Sequence, residues 1–347
     1  MRLHLRSAAR FVRALLCAGV AFVACATTLL TLTQRAWTQG PWWLELSRYL
    51  PYPLFLIPAV LALVASFWLG RAWVLASVVS LMLWLTLGMG LQWNRGEAGA
   101  ERVRLMTYNI KVFNAMQQRE GLYALDLEVA RYDPDILVMQ DADGLLVARS
   151  DPALTQGAVF GLPYVYALGQ YVVASRYPLG QCGPGQIGFG NQSHRYVRCV
   201  VSVRGQDLNL VTAHFQSPRA GLVAARREGL DGADDWQRNL DDRLTQATSL
   251  ARDLASSNRP LVVAGDLNAP ESSPVIQTLL QIGLRDAFSS AGRGYGFSYG
   301  HSLRRGYDFL RIDHILVSTD IGVMDSFVGQ SAASDHRAVV ADLILRR

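Results

Sequence analysis

Leu261-Val262-Val263-Ala264-Gly265-Asp266-Leu267-Asn268 is the stretch on which the fold turns. Four small or branched apolar residues with no polar face read as a buried strand. A glycine, an acid, one apolar residue and an amide follow at once, then Ala269-Pro270 and a helix start at Ser273-Pro274, with serine as cap and proline in the first turn. A strand ending in Gly-Asp-x-Asn presents a carboxylate and a carboxamide at a sheet edge, where α/β proteins usually seat their ligands. Gly, Asp and Asn are also ordinary turn formers, so the rest of the chain must decide between the two readings.

Working outward, residues 103–109 alternate like a strand and end in Asn109, and residues 136–139 form a buried strand running into Gln140-Asp141. Residues 171–175 predict a further strand. Residues 198–203 and 208–213 predict a hairpin around Gly205-Gln206-Asp207 that delivers His214. Strand 315–317 is preceded by Asp313-His314, and strand 339–344 by Ser334-Asp335-His336. Helices are expected at 120–131, after Ser273, and over 221–255 with a break near 229–232. Strands outnumber helices and several are hairpin-like, which argues for two packed sheets flanked by helices rather than one parallel sheet.

Strand ends and adjoining loops thus carry Asn109, Asp141, His214, Asp266 with Asn268, Asp313, and Asp335 with His336. Magnesium takes oxygen ligands and keeps several waters, so one or two carboxylates and an amide suffice to hold it. Phosphate ester hydrolysis needs a polarised water and neutralisation of charge on the phosphoryl oxygens, and a histidine paired with a carboxylate can move or hold a proton.

The ordered set Thr107-Tyr108-Asn109, residues 135–141, residues 174–178, Thr212-Ala213-His214, Gly265-Asp266-Leu267-Asn268, residues 311–316 and Ser334-Asp335-His336 resembles the endonuclease/exonuclease/phosphatase (DNase I-like) superfamily. It covers nearly all of residues 103–344. The resemblance implies a four-layer α/β sandwich, two packed mixed β-sheets flanked by helices, and hydrolysis of a phosphodiester or phosphomonoester with Mg²⁺ or Mn²⁺. It implies that Asn109 and Asp141 hold the metal with Asp335 nearby, and that Asp266 and Asn268 orient the attacking water and the scissile phosphate. His336, steadied by Asp313, is implied as base or charge-stabilising contact, and His214 as a contact to the phosphate or an aid to the leaving group. The family normally has glutamate where this chain has Asp141, one methylene shorter; Asp143 substitutes if the register shifts by two.

Structural readings compete at other positions. His194 and His301 read as surface or loop groups, Asp133 and Asp135 as turn acids, and Arg226-Arg227 and Asp234-Asp235 as a solvated helix face. Arg243 and Gln246, one turn apart, predict a structural salt-bridge role. Phe297 and Tyr299 wall the groove or pack in the core. Lys111, the chain's only lysine, lies near the site by sequence alone.

Charge divides the chain. Before residue 100 eight arginines face Glu45 and Glu97, whereas residues from 101 onward hold 25 basic and 26 acidic residues. A tight binder of duplex nucleic acid usually carries a basic surface; this C-terminal part shows no excess, although Arg304-Arg305 keeps a nuclease among the readings. Uncharged apolar runs at about 14–33, 53–69 and 72–91 each approach the roughly 20 residues of a membrane crossing. Arg2, Arg6, Arg10 and Arg13 precede the first and Arg71 sits between the last two, which predicts cytoplasmic ends there. Three transmembrane helices then form an anchor over residues 1–96, and a domain over 101–347, joined by a linker at 94–101, lies outside an inner membrane, in the periplasm. Trp37, Trp42, Trp43, Tyr49, Tyr52 and Trp93 read as interfacial aromatics. A cleaved leader, hinted at by Phe22-Val23-Ala24-Cys25, is opposed by the apolar residues that continue past Cys25. Cys17 and Cys25 read as apolar filler; Cys182 and Cys199 either pair or stay free.

Three functions follow: a membrane-anchored phosphoesterase acting on a phospholipid-type or other small phosphoester, a nuclease, and an interaction module whose site has decayed at Asp141.

Overall fold

The computed structural model describes residues 2–346 except 38–39, 100, 118, 120, 146–157, 190–191, 258–259, 301–306 and 331–332. His301, Arg304 and Arg305 lie outside the described residues. The chain divides into two compact units, Met1–Leu91 and Gln92–Arg347.

In the first unit, α1 (Arg2–Ala36), α2 (Trp42–Ser47), α3 (Pro53–Ser66) and α4 (Arg71–Leu83) follow one another, and α4 runs on into a π-helical turn at Trp84–Gly88. Two stretches, Arg10–Ala36 and Arg71–Gly88, are apolar and long enough to cross a bilayer. Pro53–Ser66 is apolar but shorter, so among the described residues two of the three expected spans are helices of full length and the middle one is not. Tyr49 is fully buried within the unit, whereas Trp37 and Trp43 are exposed.

The second unit contains β1 (Gln92–Trp93), β2 (Val103–Asn109), α5 (Val112–Met116), α6 (Gly121–Tyr132), β3 (Ile136–Gln140), β4 (Tyr164–Leu168), β5 (Tyr171–Ser175), β6 (Leu179–Phe189), β7 (Gln192–Val203) and β8 (Gln206–Thr212). It continues with α7 (Arg219–Glu228), α8 (Ala233–Leu254), β9 (Leu261–Asp266), α9 (Pro274–Leu280), β10 (Leu284–Asp286), α10 (Ala287–Ala291), β11 (Arg293–Gly294), β12 (Asp313–Ser318), β13 (Ile321–Val328) and β14 (Val339–Leu345). Two six-stranded sheets form, in the orders β13-β14-β2-β3-β5-β4 and β10-β12-β9-β8-β7-β6. Each is mixed: β2 with β3, and β8 with β9, are parallel, and the other pairs antiparallel.

Period-two alternation builds the layers. Val103 and Leu105 of β2, Ile136 and Val138 of β3, Leu208 and Leu210 of β8, Val262 and Ala264 of β9, and Ile315 and Val317 of β12 meet between the sheets. The intervening residues turn outward. Met106, Leu137 and Met139 pack with Leu125 and Val129 of α6, and Val211 and Val263 pack with Leu240, Ala247 and Leu250 of α8 and Ile276 of α9. The order is therefore helix, sheet, sheet, helix.

The β7–β8 hairpin closes on Arg204 and Gly205, both at positive φ (50° and 85°), as a two-residue turn between twisted strands requires. Cys182 and Cys199 form a disulfide across β6 and β7. Asn94 and Glu97, expected in a linker, are tied into this unit: Asn94 Nδ2 donates to the Ser289 carbonyl at 2.6 Å, and Glu97 accepts from Arg285 at 2.8 Å and pairs with Arg346.

Candidate active site

The alternation that fills the core also aims the polar residues. In β2, positions 103, 105, 107 and 109 share the inner face, so Asn109 is the last inward residue of its strand; by the same count Gln140, Thr212, Asp266 and Asp313 face inward. The parallel strands β2, β3, β8 and β9 finish at one rim. Their antiparallel neighbours begin there, since Asp313 is in register with Asp266 and Val339 with Thr107. His336, three residues before Val339, is thereby brought to the same rim. Just beneath it the core turns polar: Gln140 Nε2 donates to Thr212 Oγ1 at 2.9 Å and to Thr107 Oγ1 at 3.2 Å, bridging the two sheets.

Gly265 lets β8 and β9 approach, because a Cβ there would lie 2.0 Å from the Ala213 carbonyl oxygen. Past it the chain is stitched down. Phe215 N donates to the Asp266 carbonyl and Leu267 N to the Ile312 carbonyl, each at 3.0 Å.

Asp266 sits at the centre, 1% exposed. Its Oδ2 accepts from Asn109 Nδ2 at 2.9 Å and is faced by His214 Nε2 at 3.4 Å and His336 Nε2 at 3.7 Å. Its Oδ1 accepts from the Asn268 amide at 3.0 Å. Asn268 holds a positive φ of 51° and spends its Nδ2 on the Phe215 carbonyl at 2.9 Å. His336 Nδ1 bonds Asp313 Oδ2 at 2.9 Å, and that oxygen also accepts from Ser298 Oγ at 2.7 Å. The Tyr299 ring lies 4.5 Å from the His336 ring, centroid to centroid, and its hydroxyl accepts from Arg219 at 3.1 Å. His214 Nδ1 meets Gln170 Oε1 at 2.6 Å and lies 3.6 Å from Asp141 Oδ1. Asp141 pairs with the Lys111 ammonium through its other oxygen.

Burial disfavours the charged form of His336, but Asp313, Asp266 and Asp335 outweigh it and raise the imidazole to about 9. Burial, with Asp266 adding to it, pushes the Asp313 carboxyl above the usual carboxylate range against the pull of His336. Asp141 is held below that range, because His214 and Lys111 overcome the opposing effect of its burial.

The buried oxygens Asp313 Oδ1 and Asp335 Oδ1 have no hydrogen-bond partner among the described residues. The Asn109 carboxamide oxygen, Asp141 and Asp335 are oxygen donors of the kind Mg²⁺ or Mn²⁺ takes. Asp266, Asp313 and His336 also bring ligand atoms within 4.8 Å of one another. Two of those three, Asp313 and His336, already bond each other.

Other expectations resolve locally. Asp143 is exposed in the turn after β3 while Asp141, at φ 49°, faces the cleft. Asp133 and Asp135 pair with Arg176. His194 is half-buried against Gln246 Nε2 at 2.9 Å rather than a free surface group. Arg243 is fully buried, and donates to Asn239 Oδ1 at 3.0 Å and to the Asn268 carbonyl at 3.2 Å, so it buttresses the Asn268 loop. Gln170, Ser298 and Arg219 escaped sequence reasoning: each lies in a loop or helix without a motif, and contact across the fold is what brings it to the site.

Residues 106–336 match the model of the Endonuclease/Exonuclease/phosphatase family. Solved structures with the same fold include the endonuclease/exonuclease/phosphatase from Bacteroides vulgatus (17% identity, 71% of this chain and 100% of that one, TM-score 0.52). Another is TDP2 of D. rerio complexed with single strand DNA product (13% identity, 71% and 100%, TM-score 0.50). A third is a functionally unknown conserved protein from Enterococcus faecalis (15% identity, 70% and 100%, TM-score 0.50). No curated protein matches the chain in sequence.

Proposed function

Because the chain belongs to the endonuclease/exonuclease/phosphatase family, we propose that it is a membrane-anchored, divalent-metal-dependent phosphoesterase acting on the extracytoplasmic side, on a phospholipid-type or other small phosphoester. The observation that carries this reading is the carboxylate of Asp266, buried at the rim and faced by the Asn109 amide and by ring nitrogens of His214 and His336.

Asn109, Asp141 and Asp335 would hold a Mg²⁺ or Mn²⁺ ion, which when bound neutralises charge on the phosphoryl oxygens and polarises water. The protein's own groups divide the remaining work. With its pKa raised to about 9, His336 is an imidazolium at neutral pH and stabilises charge developing on the phosphate rather than taking a proton. Asp266 then orients the water and accepts its proton as the water oxygen bonds phosphorus. The ester P–O bond breaks on the far side and the departing oxygen takes a proton from solvent, while His214, on the Asp266 side with its Nε2 3.4 Å from that carboxylate, contacts the phosphate. Asp313 and Ser298 hold the His336 ring in place, and Asn268 anchors the loop behind Asp266.

Two features support the location. The Cys182–Cys199 disulfide suits an oxidising compartment. Export requires three crossings, for which Pro53–Ser66 with the apolar residues 67–69 serves as the short middle span. A bilayer tether raises the local concentration of a lipid substrate, and residues from 101 onward lack the positive charge a duplex-DNA binder carries.

The test uses the full-length protein in detergent with Mg²⁺ or Mn²⁺, against sphingomyelin, inositol phosphates, a generic bis-ester and plasmid DNA. Turnover of a lipid or small ester above that of plasmid is expected, and Asp266→Ala should reduce it by at least about 10³-fold. Preferred cleavage of the plasmid would make the protein a nuclease. Turnover surviving in Asp266→Ala would overturn the site, and no hydrolysis of any substrate would favour the interaction module.

A further inference from the structure

Resting on the reading of the cleft as a divalent-metal site, we propose that Lys111 is a resident cation of that cleft, sharing Asp141 with the metal and setting how tightly the ion is held. The placement is built into the backbone. Ile110 N donates to the Gln140 carbonyl at 3.0 Å and Val112 N to the Asp141 carbonyl at 2.9 Å. These bonds carry the β2–β3 pairing past both strand ends, so Lys111 and Asp141 lie side by side. Both hold left-handed backbone, φ 43° and 49°, a conformation that residues with a Cβ adopt at a cost and that persists where surroundings demand it.

The side chains complete the arrangement. Lys111 N donates to Asn109 Oδ1 at 3.3 Å, and its ammonium sits on Asp141 Oδ2. Asp266 and Asp335 add their fields at the same ammonium. The other oxygen of Asp141 faces His214 Nδ1 at 3.6 Å, so both oxygens of this carboxylate have a nitrogen in front of them. The one lysine in 347 residues thus stands among the groups that would bind the ion, and it fills reach that a longer carboxylate would use. A divalent ion must displace the ammonium from Asp141 or bind beside a like charge. Either lowers its affinity. The pair is about a quarter exposed on each side, and the ammonium rides a flexible four-carbon stem, so displacement needs no backbone change.

The experiment measures Mn²⁺ binding to the full-length protein in detergent, by the spin-resonance signal of free ion and by calorimetry, without substrate. Lys111→Met removes the charge at constant length and should tighten the Kd about tenfold, which is about 1.4 kcal/mol. Lys111→Arg keeps the charge and should stay within about threefold of wild type. Asp141→Glu, with the lysine retained, gives a second route: the longer carboxylate should also tighten binding. Equal or weaker binding by Lys111→Met overturns the proposal, as do parallel shifts in the Met and Arg variants. Should Lys111→Met fail to fold, unchanged or weakened binding by Asp141→Glu overturns it instead. An undetectable esterase whose Met variant binds tighter sinks only the enzymatic reading. Turnover abolished by Asp266→Ala with no Met effect sinks only this one.

Discussion

The two walls of the cleft are built differently. On one side Asp266, Asp313 and His336 are all at most 3% exposed, locked to one another and to Ser298, Asn268 and Asn109. On the other, Lys111 and Asp141 are about a quarter exposed and held mainly by each other and by His214. A buried carboxylate held by its neighbours needs little reorganisation when charge develops beside it, whereas a half-wet ion pair can open and close. On the proposed function, this difference puts the chemistry on the buried wall and adjustable cation binding on the wet one.

Equivalent neutral substitutions on the two walls break or sharpen this contrast. Asp313→Asn leaves the His336 ring without its anionic partner and should lower kcat on the order of 10³-fold, by analogy with loss of the acid in other histidine–carboxylate pairs. Asp141→Asn should cost only about tenfold at saturating metal, with KM for substrate little changed. A titration of rate against Mn²⁺ for both variants is the check: the Asp141 defect should shrink as metal rises and the Asp313 defect should not. Equal, metal-independent losses would erase the distinction between the walls.

The buried wall should also show itself in stability. Asp313, Asp266 and Asp335 overcome burial and lift His336 from its ordinary 6.5 to about 9. A pKa raised on folding gives stability that is complete below about 6.5 and is lost as pH rises through 9. The shift corresponds to about 3 kcal/mol. In EDTA, the melting temperature of wild type should therefore fall between pH 6.5 and 9.5 more steeply than that of His336→Gln. Parallel curves would mean that His336 is not held as an imidazolium.

Much of this wall was legible in the sequence, because its residues end or begin strands whose apolar alternation is regular. Asp266 follows Val262 and Ala264 on the inner face by simple parity, and Asp313 precedes Ile315 and Val317 in the same way. The β7–β8 turn was legible from Gly205. Other elements were not. β6 runs through Gly180, Gly183, Pro184, Gly185 and Gly188, a composition that reads as loop; among the described residues it is an edge strand paired to β7, and Gly185 leaves room for the Tyr196 ring, 2.0 Å from where its Cβ would sit. Ser298 reaches Asp313 from fifteen residues away, through a segment with no periodicity. Lys111 could be seen but not interpreted, since its meaning depends on the β2–β3 pairing continuing past both strand ends.

The smallest effect is expected at Asp143. A register shift of two along this strand would keep the same face and let Asp143 stand in for the shortened acid at 141. β3 pairs Asn109 with Gln140, however, and that register fixes Asp141 as the residue beside Lys111. Asp143 falls in the exposed turn that follows. Partial burial and the neighbouring charge of Asp141 raise its carboxyl above the ordinary range against the weaker pull of His214. Asp143→Asn should therefore change both kcat and Mn²⁺ affinity by less than about twofold, the range of an ordinary surface substitution. A loss as large as that of Asp141→Asn would mean that both acids serve the ion, and the wet wall would then be a two-carboxylate ligand set rather than a single carboxylate shared with a lysine.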